Sequence, residues 1–445
     1  MNKTINFFVL CFPHFGTLDN WMPIVDGIST SSDHLKFTLI IPDANIVRSF
    51  HKDNAVVKIS NNIFDTVLIY AYDDIWIEQS SVFNSIAWYK KNQTTLRLID
   101  ILKSLTSRSL FFYILRWLLI LLQNKVYGKE LKVRCKNFKK STSYANTLLY
   151  DIHAENNFLI KNVLQLFEEG DKYSLPHALS MLTFGKKVSK PVSTFINNKD
   201  DITVYVYAEF QSKYYNLKYG VDPDKVHVVG IPRHDLEWIK VVKNESDNLP
   251  SDFNNSDTVI ILSRHVSKAH LLFDEKMESV KNIKKLFIDN LGMKVVIKAH
   301  PSEVQEKLSI SSKENIYEDV FGLDNYGATW MYSNLHAFAL GKGKRIVISF
   351  NTGVVFDFIA MGVPCVEYIE STNNSKRNVT EFSEYGFIER ASNEKELRIF
   401  VNKWLQNPNK ISMLSSNTYK EFLPMIDNTS GNIATEILHD NGIHI

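Results

Sequence analysis

Two short segments in the second half of the chain put polar residues where a strand gives way to a helix. Lys294-Val-Val-Ile-Lys-Ala-His-Pro-Ser-Glu303 reads as a strand running straight into His300-Pro301. Proline suits a first helical turn, where its missing N–H is not needed. The free N–H groups and dipole of such a turn attract an anion, and an imidazole adds a directed donor. Ile346-Val-Ile-Ser-Phe-Asn-Thr-Gly-Val-Val-Phe-Asp357 repeats the pattern. Ser349, Asn351 and Thr352 offer small polar groups as the helix opens, and Gly353 lets a ligand come close. Taken alone, either turn reads first as an ordinary cap or a solvated histidine. Both together, at strand ends in one sheet, bring a phosphate cradle level with a pair of ordinary caps. Neither is a Walker P-loop or a full dinucleotide fingerprint, so ATPase and dehydrogenase chemistries lose support.

Further candidates follow other strand-like runs. Arg264 and His265 come after Thr258 to Leu262, and Lys298 closes the strand before His300. Gly230-Ile-Pro-Arg233-His-Asp235 places a guanidinium and a carboxylate at the mouth between two lobes. Arginine clamps phosphate or carboxylate with two parallel hydrogen bonds, although a solvated surface charge is the alternative for each of these. His177, in Ser174-Leu-Pro-His177-Ala, titrates near ~6.5 when unperturbed and is suited to shuttle a proton or hold a charge. Leu148-Leu-Tyr-Asp151 delivers a carboxylate at the end of a hydrophobic strand, where it is either a reactive group or a helix cap. No Asp-x-Asp pair sits at a strand end, and Asp73-Asp74 lacks that spacing, so neither an essential metal nor another cofactor is expected.

These residues need a scaffold that brings strand ends together. The 445 residues exceed one ordinary core and suit two domains of about 200 residues each. Short β-branched runs separated by helix-length segments predict two α/β lobes, each a doubly wound, Rossmann-like sheet of parallel strands. The first lobe is assigned to residues 1–242 and the second to 258–445. The polar stretch Lys243 to Asp257, with Pro250 inside it, is the expected linker. In such sheets ligands bind outside the carboxyl ends of the strands, where every candidate above lies.

Bulk composition limits the partners. A net charge of +2, from 51 basic and 49 acidic residues, gives no field that demands nucleic acid. Cys11, Cys135 and Cys365 show no paired spacing, which argues against disulfides and structural zinc and for a reducing cytoplasm. Ile5 to Phe12 follows Lys3 but runs into Pro13 with no cleavage pattern, so it reads as a buried strand rather than a signal peptide. Leu110 to Leu122 is broken by Arg116 and too short to span a bilayer. Residues 109–140 combine aromatic and aliphatic residues with a basic run from Lys125 to Lys140. They are either a core helix with a solvated loop or a peripheral contact with the inner-membrane surface.

In order and spacing, Gly230-x-Pro-Arg-x-Asp235, His300-Pro301 and Ser349-x-Asn-Thr-Gly-x-x-x-Asp357 resemble one superfamily. It is the GT-B bacterial surface-polysaccharide transferases that use CMP- or CDP-activated donors. The resemblance covers about residues 170 to 370, and its motifs are short. It implies a GT-B fold with two lobes facing a central cleft. The nearest likeness is to the retaining β-Kdo transferases of capsule and O-antigen synthesis, with polysialyl- and teichoic-acid glycerophosphotransferases as relatives. That likeness implies a CMP-sugar donor held by Arg233, Arg264, Lys298, His300, Pro301, Ser349, Asn351, Thr352 and Gly353. It also implies Asp151 as a nucleophile and His177 as its catalytic partner. The loop Phe12 to Asn20 would line the side that receives a glycan or lipid-linked glycan, with Asp19 and Asn20 as contacts. The teichoic-acid enzymes usually carry two serines where this chain has Phe350 and Asn351, which places an acid sugar such as Kdo ahead of glycerol phosphate. Transfer of a CDP-activated polyol phosphate and a non-catalytic nucleotide- or glycan-binding module remain the alternatives.

Overall fold

Runs such as Phe7-Phe8-Val9-Leu10 and Thr258-Val-Ile-Ile-Leu262 have no polar alternation, as befits strands covered on both faces. The computed structural model describes residues 5–12, 15–31, 34–50, 55–72, 75–106, 112–127, 132–134, 146–152, 167, 170–176, 202–266, 271–300, 303, 316–342, 345–370, 381–384, 386–407, 423 and 428–443. The first sheet has nine strands: β1 (Ile5–Leu10), β2 (Leu35–Ile41), β3 (Thr66–Tyr72), β4 (Ile75–Gln79), β5 (Lys132–Arg134), β6 (Asn146–Tyr150), β7 (Asp171–Ser174), β8 (Ile202–Val206) and β9 (Val226–Val228). Their order is β5-β4-β3-β2-β1-β6-β7-β8-β9. β1 pairs in parallel with both β2 and β6, so the winding reverses there and opens a crevice at the carboxyl ends.

One edge departs from the all-parallel expectation, since β3–β4 and β4–β5 are antiparallel. Only Asp73 and Asp74 separate β3 from β4, and two residues close a hairpin but cannot hold a crossover helix. The second sheet contains β10 (Thr258–Leu262), β11 (Lys294–Lys298), β12 (Trp330–Tyr332), β13 (Arg345–Ser349), β14 (Cys365–Tyr368) and β15 (Glu389–Ala391). Its order is β12-β11-β10-β13-β14-β15, parallel throughout.

Three further sequence expectations are corrected. The loop expected over Phe12 to Asn20 turns at Phe15 into the helix Phe15–Ser29. Leu18, Trp21, Met22, Val25 and Ile28 are all buried on it, and that burial outweighs the hydrogen bond lost at Pro23. The expected linker carries the end of the helix Leu236–Glu245 and the short helix Ser251–Asn254, whose Phe253 is fully buried. Finally, the chain returns to the first lobe at its end. The helix Thr429–Asp440 buries Ile433, Ala434, Ile437 and Leu438. It lies so close to the first helix that a Cβ on Gly27 would stand 3.3 Å from that of Ala434. Its far end is tied down by Tyr173 Oη donating to Asp440 Oδ2 at 2.9 Å. The range 258–445 therefore overstates the second lobe.

The lobes meet through apolar side chains as well. One continuous cluster contains Trp238, Ile239 and Val242 from the first lobe together with Phe338, Leu340, Val347 and Phe356 from the second.

Candidate functional site

The carboxyl ends of both sheets carry two groups of polar side chains. The first belongs to the second lobe alone and grows from β10, β11 and β13. Arg264 and His265 leave β10, His300 leaves β11, and Asn351 follows β13. Arg264 Nη1 donates to the carbonyl of Asn351. That carbonyl is presented by a left-handed backbone at φ 56°, a conformation asparagine tolerates better than most residues. The His265 and His300 rings lie 5.7 Å apart.

Glu303 holds this corner together from below. Its Oε2 accepts the backbone N–H of His300 at 2.8 Å, the return half of a capping box. Its Oε1 accepts from Ser263 Oγ at 2.7 Å and from Lys276 Nζ. Lys276 also donates to the Arg264 carbonyl at 2.8 Å, and Tyr317 Oη donates to Ser263 Oγ at 2.6 Å. Glu303 thus neutralises Lys276 and leaves Arg264 as the cation facing the corner. Burial, reinforced by the Arg264 guanidinium, pulls the His300 imidazole down to about 4, so the ring is neutral at pH 7. Arg264 Nε and His265 Nδ1 are buried and find no hydrogen-bond partner among the described residues.

The second group bridges the lobes. Asp19, on the first helix, receives Arg233 Nη1 at 3.1 Å and His336 Nε2 at 3.3 Å. Asp357 receives Arg233 Nη2 at 2.9 Å and His234 Nε2 at 2.8 Å. His336 caps the helix Ala337–Leu340, its Nδ1 accepting the N–H of Phe338 at 3.3 Å, so Nε2 carries the proton given to Asp19. Burial alone would raise the Asp19 carboxyl, but His336, Arg233 and Lys298 together hold it at about 2. Asp357 is likewise lowered, with Arg233 and His234 overcoming burial. In His234 burial prevails over the pull of Asp357, and its affinity for a proton falls.

The candidates read from the sequence divide between these groups. Arg264, His300 and Asn351 come together in the second-lobe corner. Ser349 ends β13, and its Oγ accepts the N–H of Thr352 at 3.3 Å; Gly353 is the next residue. Arg233, expected at the donor, instead spans two carboxylates. Lys298 donates to the Leu335 carbonyl at 2.7 Å and bears on Asp19, which draws it toward the bridge. Asp235, expected at the mouth, caps the last helix by accepting the N–H groups of Thr429 at 3.1 Å and Ser430 at 2.6 Å.

Asp151 stands at the end of β6 with 0% exposure. Asn20 donates to the Pro176 carbonyl at 3.1 Å, and its Oδ1 is buried without a partner among the described residues. His177 and Pro301 lie outside the described residues. Sequence reasoning missed His336, because the three-residue strand before it gives no usable pattern. Lys276 and Tyr317 sit on helices, away from the strand ends that the sequence pattern marks. Among the described residues no group of three or more His, Cys, Asp or Glu is arranged to hold a metal ion.

No protein-family model matches the sequence, and no curated protein matches it. Solved structures do. A Listeria monocytogenes protein assigned as a UDP-N-acetylglucosamine 2-epimerase superposes over 100% of this chain and 98% of its own, with a TM-score of 0.55 and 12% identity. The S. aureus protein MnaA, in its UDP co-structure, covers 99% and 97% at a TM-score of 0.52 and 10% identity. The wall teichoic acid polymerase TagF covers 99% and 89% at 0.52 and 12%. At such identities the likeness is one of fold. The chain has the GT-B architecture, two Rossmann-like α/β lobes whose strand ends face each other.

Proposed function

We propose that the chain is a GT-B transferase that takes a group from a nucleotide-activated donor, whose phosphate is received at the corner formed by Arg264, His265 and His300. The observation that carries this reading is Arg264 Nε, a buried donor with no partner among the described residues, on a side chain already fixed by its bond to the Asn351 carbonyl. An unmet buried donor costs about 1–3 kcal/mol, and a phosphate oxygen would relieve it. The neighbours lend support through their ligands, since MnaA was solved with UDP and a TagF variant was soaked with CDPG.

In its finer form the donor is a CMP-linked acid sugar such as Kdo, and the acceptor is a lipid-linked surface polysaccharide. The Asp151 carboxylate attacks the anomeric carbon as the bond to the CMP phosphate breaks, and the electron pair leaves on the phosphate oxygen beside Arg264. An acceptor hydroxyl then displaces Asp151, giving its proton to a base such as His177, so two inversions retain the configuration. Arg264 supplies positive charge for the leaving phosphate of such a donor.

One observation favours a second reading, transfer of glycerol or ribitol phosphate from a CDP-activated donor. Asp151 has no exposed surface, and a nucleophilic carboxylate must reach its substrate, whereas phosphoryl transfer needs no such nucleophile. Incubation with CMP-Kdo or CDP-glycerol and a fluorescent acceptor glycan, followed by mass spectrometry, separates the two. A product heavier by one sugar, lost in Asp151→Ala, supports the first. A polyol-phosphate product that survives Asp151→Ala supports the second. Both donors left intact with every acceptor would refute transferase activity.

A further inference from the structure

The helices Val82–Thr106 and Phe112–Tyr127 pack against each other at the β4 side of the first sheet. Their inner sides are ordinary: Ile86, Trp88, Tyr89, Leu96, Ile99 and Val126 are buried in the lobe's core. Their outer sides are not. Leu98, Ile101 and Leu105 recur at helical spacing and are exposed. On the second helix Ile114, Trp117, Leu118 and Leu121 follow the same rule, with Ile114 59% and Trp117 60% exposed. A globular surface helix turns its apolar stripe inward and its charges outward, so two adjoining stripes facing water mark an interaction surface.

Charge identifies the partner. Lys103, Arg116 and Lys125 are exposed on the same pair of helices, and the second helix contains no acidic residue. In sequence, residues 97–140 hold 11 basic and 2 acidic residues, against 40 and 47 in the rest of the chain (51 less 11, and 49 less 2). A second copy seated on this face in a twofold contact would set these cations against themselves. An anionic surface with an apolar interior meets both features at once. Among the described residues no helix is long and apolar enough to cross a membrane, so contact is in the interfacial plane.

We propose that this helix pair docks on a bilayer containing anionic lipid, with Ile114, Trp117 and Leu121 entering the headgroup boundary and Lys103, Arg116 and Lys125 meeting lipid phosphates. The inference stands on the helix pair alone and is independent of the donor chemistry.

The test is co-sedimentation of the full chain with phosphatidylcholine vesicles, with and without phosphatidylglycerol, at low and high salt. The expected result is binding to the anionic vesicles, weakened by salt, and little to the neutral ones. Arg116→Glu with Lys125→Glu leaves the apolar stripe intact and should lower partitioning at least about tenfold. Ile114→Ser with Trp117→Ser and Leu121→Ser should abolish it without lowering the melting temperature. The proposal is overturned if neither vesicle binds the protein, if the charge-reversed variant binds anionic vesicles as well as the parent, or if light scattering shows a dimer that the triple serine variant dissolves while lipid binding is unaffected.

Discussion

Arg233 Nη2 stands 2.9 Å from Asp357 Oδ1, a buried ion pair that joins the two lobes where the carboxyl ends of their sheets face one another. The other arm of the same guanidinium holds Asp19 at 3.1 Å. Both carboxylates are buried, so the arginine separates two like charges that would otherwise repel without solvent to screen them. The interface is thereby given a register as well as an apolar contact.

Removing the guanidinium should therefore cost far more than losing a surface ion pair. Arg233→Met is expected to destabilise the chain by about 3–5 kcal/mol in denaturant unfolding, because two buried carboxylates are left without their cation. Adding Asp19→Asn and Asp357→Asn should recover most of that loss, although each substitution alone is destabilising. Additive effects in this cycle would show that the three residues do not act as a unit.

Acid should act first on buried imidazoles, His300 in the second-lobe corner and His234 in the bridge alike, and only later on the carboxylates. His300 is held at about 4 in the folded chain, against ~6.5 when unfolded. Between those values only the unfolded chain takes up the proton, so this contribution is complete above about pH 6.5 and drains away as pH falls toward 4. Asp19, held at about 2 against an ordinary 3.8, contributes stability above 3.8 that is lost as pH falls through 2. Unfolding midpoints measured from pH 7 to 4 should decline in the parent and decline less in His300→Gln. Equal slopes would contradict the assigned burial of the imidazole.

The last helix depends on a cap supplied from elsewhere in the chain. Asp235 accepts two backbone N–H groups and the Ser430 hydroxyl at the first turn of Thr429–Asp440. Asp235→Ala should cost about 0.5–2 kcal/mol and raise amide exchange selectively across residues 429–440. Uniform protection in the variant would show that apolar packing on the first helix suffices.

Backbone conformation at Asn351 can be probed separately from its chemistry. With φ at 56°, Asn351→Gly should be tolerated, whereas Asn351→Val should lose about 1–2 kcal/mol and displace the carbonyl that holds Arg264. Thermal melts and nucleotide titrations of the two variants report the two effects.

Much of the scaffold could be read from the residues, and the reason lies in which strands are central. β1, β10, β11 and β13 are buried through most of their length and are built on runs of branched or aromatic apolar residues. β7, with Asp171-Lys-Tyr-Ser174, and β15, with Glu389-Arg-Ala391, are short and carry charges, so they resemble loops. β12 has three residues, too few to mark His336 as a strand-end residue. Local pattern located Arg264, His300 and Asn351 because each follows a legible strand. It could not assign Arg233 or Asp235 their partners, since Asp19, Asp357 and Ser430 lie far away in sequence and only the packing of layers brings them near.

The most direct measurement is the crystal structure of the chain soaked with CMP. The expected result is the phosphate within hydrogen-bond reach of Arg264 Nε and the His300 ring, near the Asn351 turn. Density for the nucleotide at any other place, with Arg264 Nε still unpaired, would contradict the assignment of that corner as the donor site.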